Sequence, residues 1–136
     1  MGKKKILILV LVGALLSVLF FGGIIYFTFF RTPQEEEIVT YQMPIGEFVA
    51  NLGSTRNYFQ ANITLEVTDS KLIDSMEEKH VEIRDIILGI LIGKKADELL
   101  TPQGKSELKQ EIISAISILM DTDEISNLYF TNYIIQ

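Results

Sequence analysis

The sequence predicts an α+β protein in two parts. A single N-terminal transmembrane helix comes first, followed by a small domain with a β-hairpin, two or three helices and a C-terminal strand. Three patterns lead there. Residues 6–30 are 25 consecutive positions without a side chain charged at neutral pH. Residues 58–68 alternate apolar and polar with a period of two. From Leu72 the apolar spacing becomes helical, and it gives way from Ile125 to a closing run of aromatic and β-branched residues.

The first run is long enough to span. A hydrocarbon core of roughly 30 Å takes about 20 residues of helix. At ~1.5 Å per residue, 25 residues reach ~37 Å, which leaves room for tilt. The only polar side chains inside are Ser17, Tyr26 and Thr28, so there is no polar stripe of the kind a buried core helix carries. A secretory signal has an apolar stretch of about 7–15 residues and ends in small side chains. This stretch is longer and ends in Tyr26-Phe27-Thr28-Phe29-Phe30-Arg31, so it is expected to stay as an anchor. Gly2 is no myristoylation site, because Ile6 stands where Ser or Thr is needed.

The anchor therefore extends from Ile6 to Phe30 with Phe21 in its second half, and Tyr26, Phe27, Phe29 and Phe30 form an aromatic belt at one interface. Gly13 and Ser17 make one small-xxx-small pair, which does not continue into another turn. Lys3, Lys4 and Lys5 precede the span and Glu35, Glu36 and Glu37 follow it. The positive-inside bias puts the N-terminus in the cytoplasm. The expected layout is a cytoplasmic tail at 1–5, the anchor at 6–30, a linker at 31–42 broken by Thr32-Pro33-Gln34, and an extracytoplasmic domain at 43–136.

Charge and composition narrow the function. The net charge of −6 hides a polarity: setting aside Lys3, Lys4, Lys5 and Arg31 leaves 8 of the 12 basic residues against all 18 acidic ones. An outer part near −10 by that count argues against nucleic acid and against a basic lipid-binding surface. With no cysteine there is no thiol nucleophile, disulfide framework or Cys-based zinc site.

In the outer part, residues 45–52 and 58–68 read as the two strands of a hairpin, joined by Gly53-Ser54-Thr55-Arg56-Asn57. In the second strand Phe59, Ala61, Ile63, Leu65 and Val67 form the buried set. Leu72, Ile73, Met76, Ile83, Ile86, Ile87, Ile90 and Leu91 recur at helical spacing, capped by Asp69 or Ser70 and ending near Gly93. Thr101-Pro102 opens the next helix, whose face is Leu108, Ile112, Ala115, Ile116 and Leu119. The turn Asp121-Thr122-Asp123-Glu124 closes it. In the last strand strict alternation puts Leu128, Phe130 and Ile134 on one face, and Tyr129, Tyr133 and Ile135 on the other. A strand apolar on both faces lies under cover or meets a partner.

No catalytic constellation emerges. His80 is the one histidine and sits among Glu77, Glu78, Lys79 and Glu82, so it reads as a solvated helix residue with no second His to complete a metal site. There is no G-x-S-x-G and no phosphate-binding glycine loop. The neighbours Glu77-Glu78 and Asp97-Glu98 point in different directions on a helix and do not converge. No catalytic residue, metal or cofactor is expected.

Taken in order, the pieces resemble the FliL family of flagellar basal body-associated proteins over nearly the whole chain. The resemblance rests on the Lys-rich start and single span, on Phe48-Val49-Ala50-Asn51-Leu52, and on the strand ending Leu65-Glu66-Val67. It continues through Ile83-Arg84-Asp85-Ile86-Ile87, Lys95-Ala96-Asp97-Glu98-Leu99, Gly104 and Leu108. It closes on Leu128-Tyr129-Phe130-Thr131-Asn132-Tyr133-Ile134-Ile135-Gln136, similar to the family's V-Y-F-T-x-F-x-x-Q ending. Ile92-Gly93 departs from a pair of serines in many relatives, as do Leu128 and Tyr133 from Val and Phe.

The resemblance implies a stomatin-like (SPFH-like) domain at the flagellar basal body, in the bacterial cytoplasmic membrane. It implies a ring of copies around stator proteins of the MotA/MotB type, supporting torque, motility and swarming without chemistry. Arg84 and Asp85, with charges of both signs, and Tyr129, Phe130 and Tyr133 of the last strand are the candidate subunit or stator contacts. The alternative is a membrane-anchored sensor or ligand-binding domain unrelated to motility. An anchored hydrolase lacks a nucleophile–base pair.

Overall fold

A computed structural model describes residues 2–31, 36–53 and 56–136. The chain forms two compact units, Met1–Glu37 and Ile38–Gln136. The Thr32-Pro33-Gln34 break and two residues of the hairpin loop, Ser54 and Thr55, lie outside the described residues.

The first unit is α1, Lys3–Phe30, a 28-residue helix with no buried side chain. Among the described residues it is the one helix long and apolar enough to cross a membrane. Its two aliphatic hydroxyls are satisfied within the helix, as an apolar surround requires: Ser17 Oγ donates to the Ala14 carbonyl at 2.7 Å and Thr28 Oγ1 to that of Ile24 at 2.9 Å. At the C-terminal end Tyr26 and Phe30 stack at 5.1 Å, and the Arg31 guanidinium covers the Phe27 ring at 4.6 Å.

The second unit is α+β. Strand β1 spans Tyr41–Asn51, β2 spans Tyr58–Val67 and β3 spans Ile125–Ile135, in an antiparallel sheet of order β1-β2-β3. The first strand starts at Tyr41, four residues before the expected Ile45, because Tyr41 to Pro44 continue the pairing with Thr64 to Val67. Between β2 and β3 come α2 (Lys71–Glu78), α3 (His80–Ile92), α4 (Ala96–Leu99) and α5 (Pro102–Met120). They cover one face of the sheet, α3 against β1 and α5 against β3.

β2 behaves as its alternation demands. Phe59, Ala61, Ile63, Leu65 and Val67 are all buried, and Tyr58, Gln60, Asn62, Thr64 and Glu66 stay half-buried on the open face. Against the first set lie Met76, Ile83, Ile87 and Leu91 from α2 and α3, and Leu108, Ile112 and Ile116 from α5. The apolar face read for the last helix is present, with Ala115 and Leu119 at its half-exposed margin.

The helical stretch from Leu72 onward divides into α2 and α3. Lys79 leaves helical geometry at φ −100°, ψ 20°, and its ammonium donates to the Leu119 carbonyl in the last turn of α5 at 3.3 Å. Asp69 rather than Ser70 caps α2, its Oδ1 accepting from the Lys71 N–H at 2.9 Å. Thr101 caps α5 as its sequence predicts, accepting from the Gly104 N–H at 3.0 Å with Pro102 at the first helical position. Gly104 is there for space: a Cβ would lie 1.6 Å from the Glu98 carbonyl oxygen, so no side chain fits where α5 leaves α4. The turn at the end of α5 holds Asp121 in the left-handed region, with the Thr122 N–H returning to the Ser117 carbonyl at 3.0 Å.

The faces of β3 differ from strict alternation. Phe130 and Ile135 stand opposite Ile63 and Phe59 on the core side, while Tyr129 and Ile134 stand opposite Thr64 and Gln60 on the open side. Tyr133 packs against the core as well, its ring 5.1 Å from that of Phe59. The cause is a bulge: the register shifts between Gln60 and Asn62, and Asn132 takes φ 55°. One extra residue inverts the parity of all that follows. Tyr133 and Ile135 therefore join the core side, and Ile134 leaves it for the face of Tyr129.

Candidate functional site

Two places concentrate the unusual geometry of the domain, one at each edge of the sheet. The first is the β1 edge. The register shifts between Pro44 and Gly46, and Gly46 adopts φ +109°, a conformation that favours glycine. The irregularity turns carbonyls towards α3, which supplies donors for them. Arg84 donates from Nη1 to the Ile45 carbonyl at 3.1 Å and from Nη2 to the Glu47 carbonyl at 2.7 Å. Its guanidinium lies 4.2 Å from the centroid of the buried Phe48 ring. One helical turn earlier, His80 Nε2 is 3.1 Å from the same Ile45 oxygen, and because a carbonyl can only accept, that nitrogen carries the proton. A Cβ at Gly46 would stand 3.2 Å from Arg84 Nη1.

This changes the reading of two residues. His80 is a half-buried ligand of the β1 bulge and not a solvated helix residue. Arg84 spends its fork on main-chain carbonyls, while its neighbour Asp85 is exposed. Sequence reasoning could not pair them with Ile45, since the bulge that bares the carbonyl has no distinctive residue other than Gly46.

The second place is β3 and the start of α5. Phe59, Phe130 and Tyr133 form an aromatic group with centroids 5.1–6.2 Å apart, in tilted and edge-on arrangements. The Tyr133 hydroxyl donates to the Leu99 carbonyl at 2.8 Å, tying the bulge to α4. Burial pushes its phenol up to about 12. Lys105 Nζ sits 4.9 Å from the Tyr133 ring centroid and Lys109 Nζ 5.7 Å from that of Tyr129. Tyr129 is on the open face, and its hydroxyl donates to Glu66 Oε2 at 3.1 Å. At the strand's end Gln136 is held on Tyr58 by two main-chain bonds of 2.6 and 3.0 Å and by the Tyr58 hydroxyl on its Oε1 at 2.6 Å.

Of the candidate contact residues, Tyr129, Phe130 and Tyr133 thus lie on β3, and Arg84 and Asp85 lie on α3 against the opposite strand. The anchor positions Ile6, Gly13, Ser17, Phe21, Tyr26 and Phe30 are all exposed on α1. The arrangement consists of main-chain clamps, edge-on and tilted rings and exposed charge.

Comparison with known proteins fits this architecture. The family model described as flagellar basal body-associated protein FliL matches residues 42–136. The chain belongs to the FliL family. Among curated FliL proteins, the flagellar protein FliL of Aquifex aeolicus (strain VF5) is 33% identical over 91 residues, covering 65% of this chain and 56% of that protein. The flagellar protein FliL of Bacillus subtilis (strain 168) is 25% identical over 101 residues, covering 74% of this chain and 71% of its own length. The match thus spans little more than half the length of the Aquifex FliL. An N-terminal apolar helix ahead of the FliL region fits membrane anchoring.

Proposed function

We propose that this protein is a structural accessory of the bacterial flagellar motor, which associates with stator units of the MotA/MotB type and supports torque, swimming and swarming. The observation that carries the reading is the FliL match through 42–136 with a helix fit to span the membrane ahead of it. In this reading the N-terminus is cytoplasmic, the domain is extracytoplasmic with an SPFH-like role, and copies assemble into a ring at the basal body. The protein acts by contact, without cofactor or catalysis. Asp85 and Tyr129, both exposed, are its first candidate contacts, since Arg84 is engaged within the fold.

The test is a clean deletion in the flagellated source strain, complemented with the full chain. Swimming and swarming should weaken and return on complementation. Unchanged motility under viscous load would overturn the reading. Asp85→Lys should leave the domain folded by circular dichroism and still lower motility. Alkaline phosphatase fused after Gln136 should be active, and inactivity there would reverse the orientation.

A further inference from the structure

The two outer strands of the sheet are guarded differently. On β1 the exposed edge carries Pro44 and a bulge, and Arg84 and His80 occupy the Ile45 and Glu47 carbonyls. Such an edge cannot take another strand there. β3 has no proline, and along it runs a pair of lysines from α5, Lys105 and Lys109, one helical turn apart and resting over the Tyr133 and Tyr129 rings. Tyr133 lies on the core side and Tyr129 on the open side, so the two ammonium groups flank the edge itself. Among the described residues neither is in an ion pair, in a region where 8 basic residues face 18 acidic ones. A lysine-lined edge repels neutral and basic strands, and it admits one whose carboxylates meet the lysines.

The chain contains such a strand. Glu36-Glu37-Ile38-Val39-Thr40 is acidic at its start and β-branched at its end. Ile38 and Val39 are 72% and 63% exposed and belong to no strand, although β1 begins at the next residue but one. A chain's own segment cannot reach its own β3 edge. It leaves from β1, and a strand added outside β3 would lie three spacings, about 14 Å, from β1. Five extended residues span at most about 17 Å, so crossing the sheet would leave almost nothing to pair.

We propose that the β3 edge and the Lys105–Lys109 row bind the Glu36–Thr40 segment of a second copy as an added strand. Glu36 and Glu37 meet the lysines, Val39 lies on the open face beside Tyr129 and Thr131, and Ile38 turns to the helix side. Donor segment and acceptor edge are different surfaces of the chain, so the contact is head-to-tail and repeats from copy to copy. The inference rests on the self-association proposed above and names its contact.

The absence of cysteine makes the test clean. Full-length chains carrying Val39→Cys under one tag and Thr131→Cys under another are co-expressed in membranes and oxidised. A disulfide-linked heterodimer is expected, and none with Ile118→Cys, an 81% exposed position at the far end of α5. Lys105→Glu with Lys109→Glu should reduce the band to that control level. Glu36→Gln with Glu37→Gln should lower it, and so should added salt. Lysines are avoided at 36 and 37 because positive charge beside the span bears on its orientation. The milder pair Lys105→Gln and Lys109→Gln, checked by circular dichroism, keeps the result readable if the glutamates unfold the domain. A band no stronger than the control, or one indifferent to these charges, would overturn the contact. If blue native electrophoresis then still shows an oligomer, self-association stands and only the contact falls. A monomer throughout would sink both.

Discussion

The central strand and the terminal strand carry comparable apolar content, yet only one obeys its own alternation. β2 pairs on both sides, and each of its five apolar residues is buried. A slip of one residue would turn all five to water, which holds the register. β3 pairs on one side only, and there the chain takes an extra residue at Asn132, crossing its apolar set from one face to the other. A strand with two neighbours is determined by its pattern; a strand with one neighbour can trade pattern for local geometry.

The largest test of that contrast is Ile63→Asp in β2. An unpaired charge at a position 1% exposed costs several kcal/mol, enough to unfold a small domain, and the cooperative thermal transition should vanish. A retained transition near the wild-type midpoint would show that β2 is not the keystone. Next comes the bulge. Asn132→Val forces a β-branched residue into φ 55° and should cost about 1–2 kcal/mol by urea denaturation, whereas Asn132→Gly should stay within about 0.5 kcal/mol of wild type. Equal effects would mean the left-handed turn is not what inverts the strand.

Tyr133→Phe is smaller. It keeps the ring contacts with Phe59 and Phe130 and removes the hydroxyl from the Leu99 carbonyl, a loss of about 1 kcal/mol. It should also change the alkaline limb. The folded phenol titrates at about 12, above the usual value of 10.0, so the unfolded chain releases this proton first as pH rises. The Tyr133 contribution is therefore whole below pH 10 and declines towards pH 12, and the Phe variant should lose less stability across that window. Identical alkaline curves would place the hydroxyl in water. Smallest of all are Ile134→Asp and Asn62→Asp on the open face, each expected within about 0.5 kcal/mol of wild type. Under strict alternation Ile134 would be buried beside Leu128, so a large loss there would restore the unbulged strand.

α5 is legible in the sequence because its signals are local: Thr101 and Pro102 start it, a 3.6-residue spacing gives its face, and Asp121 ends it. The Lys79 break is not legible, since the apolar spacing passes through it and the lysine's partner is the distant Leu119 carbonyl. α4 leaves no signal, because four residues carry too little periodicity. Arg84 is legible as part of a motif and as a candidate contact, while its bonds within the fold are not. Nothing near it in the chain announces that its acceptors are 37 and 39 residues away.

Sequence alone therefore determined what short-range chemistry controls: an uncharged run of membrane length, a half-buried central strand, capped helices and an acidic region after residue 31. The parity of β3, the taking of Arg84 and His80 by a bulge in β1, and the glycine at 104 were decided only in three dimensions. Each depends on a main-chain group brought close by folding: the extra residue opposite Ala61, the Ile45 carbonyl, and the Glu98 oxygen where a Cβ would stand. Main-chain carbonyls are the same at every position in a sequence, so which of them is left bare is set by the tertiary fold.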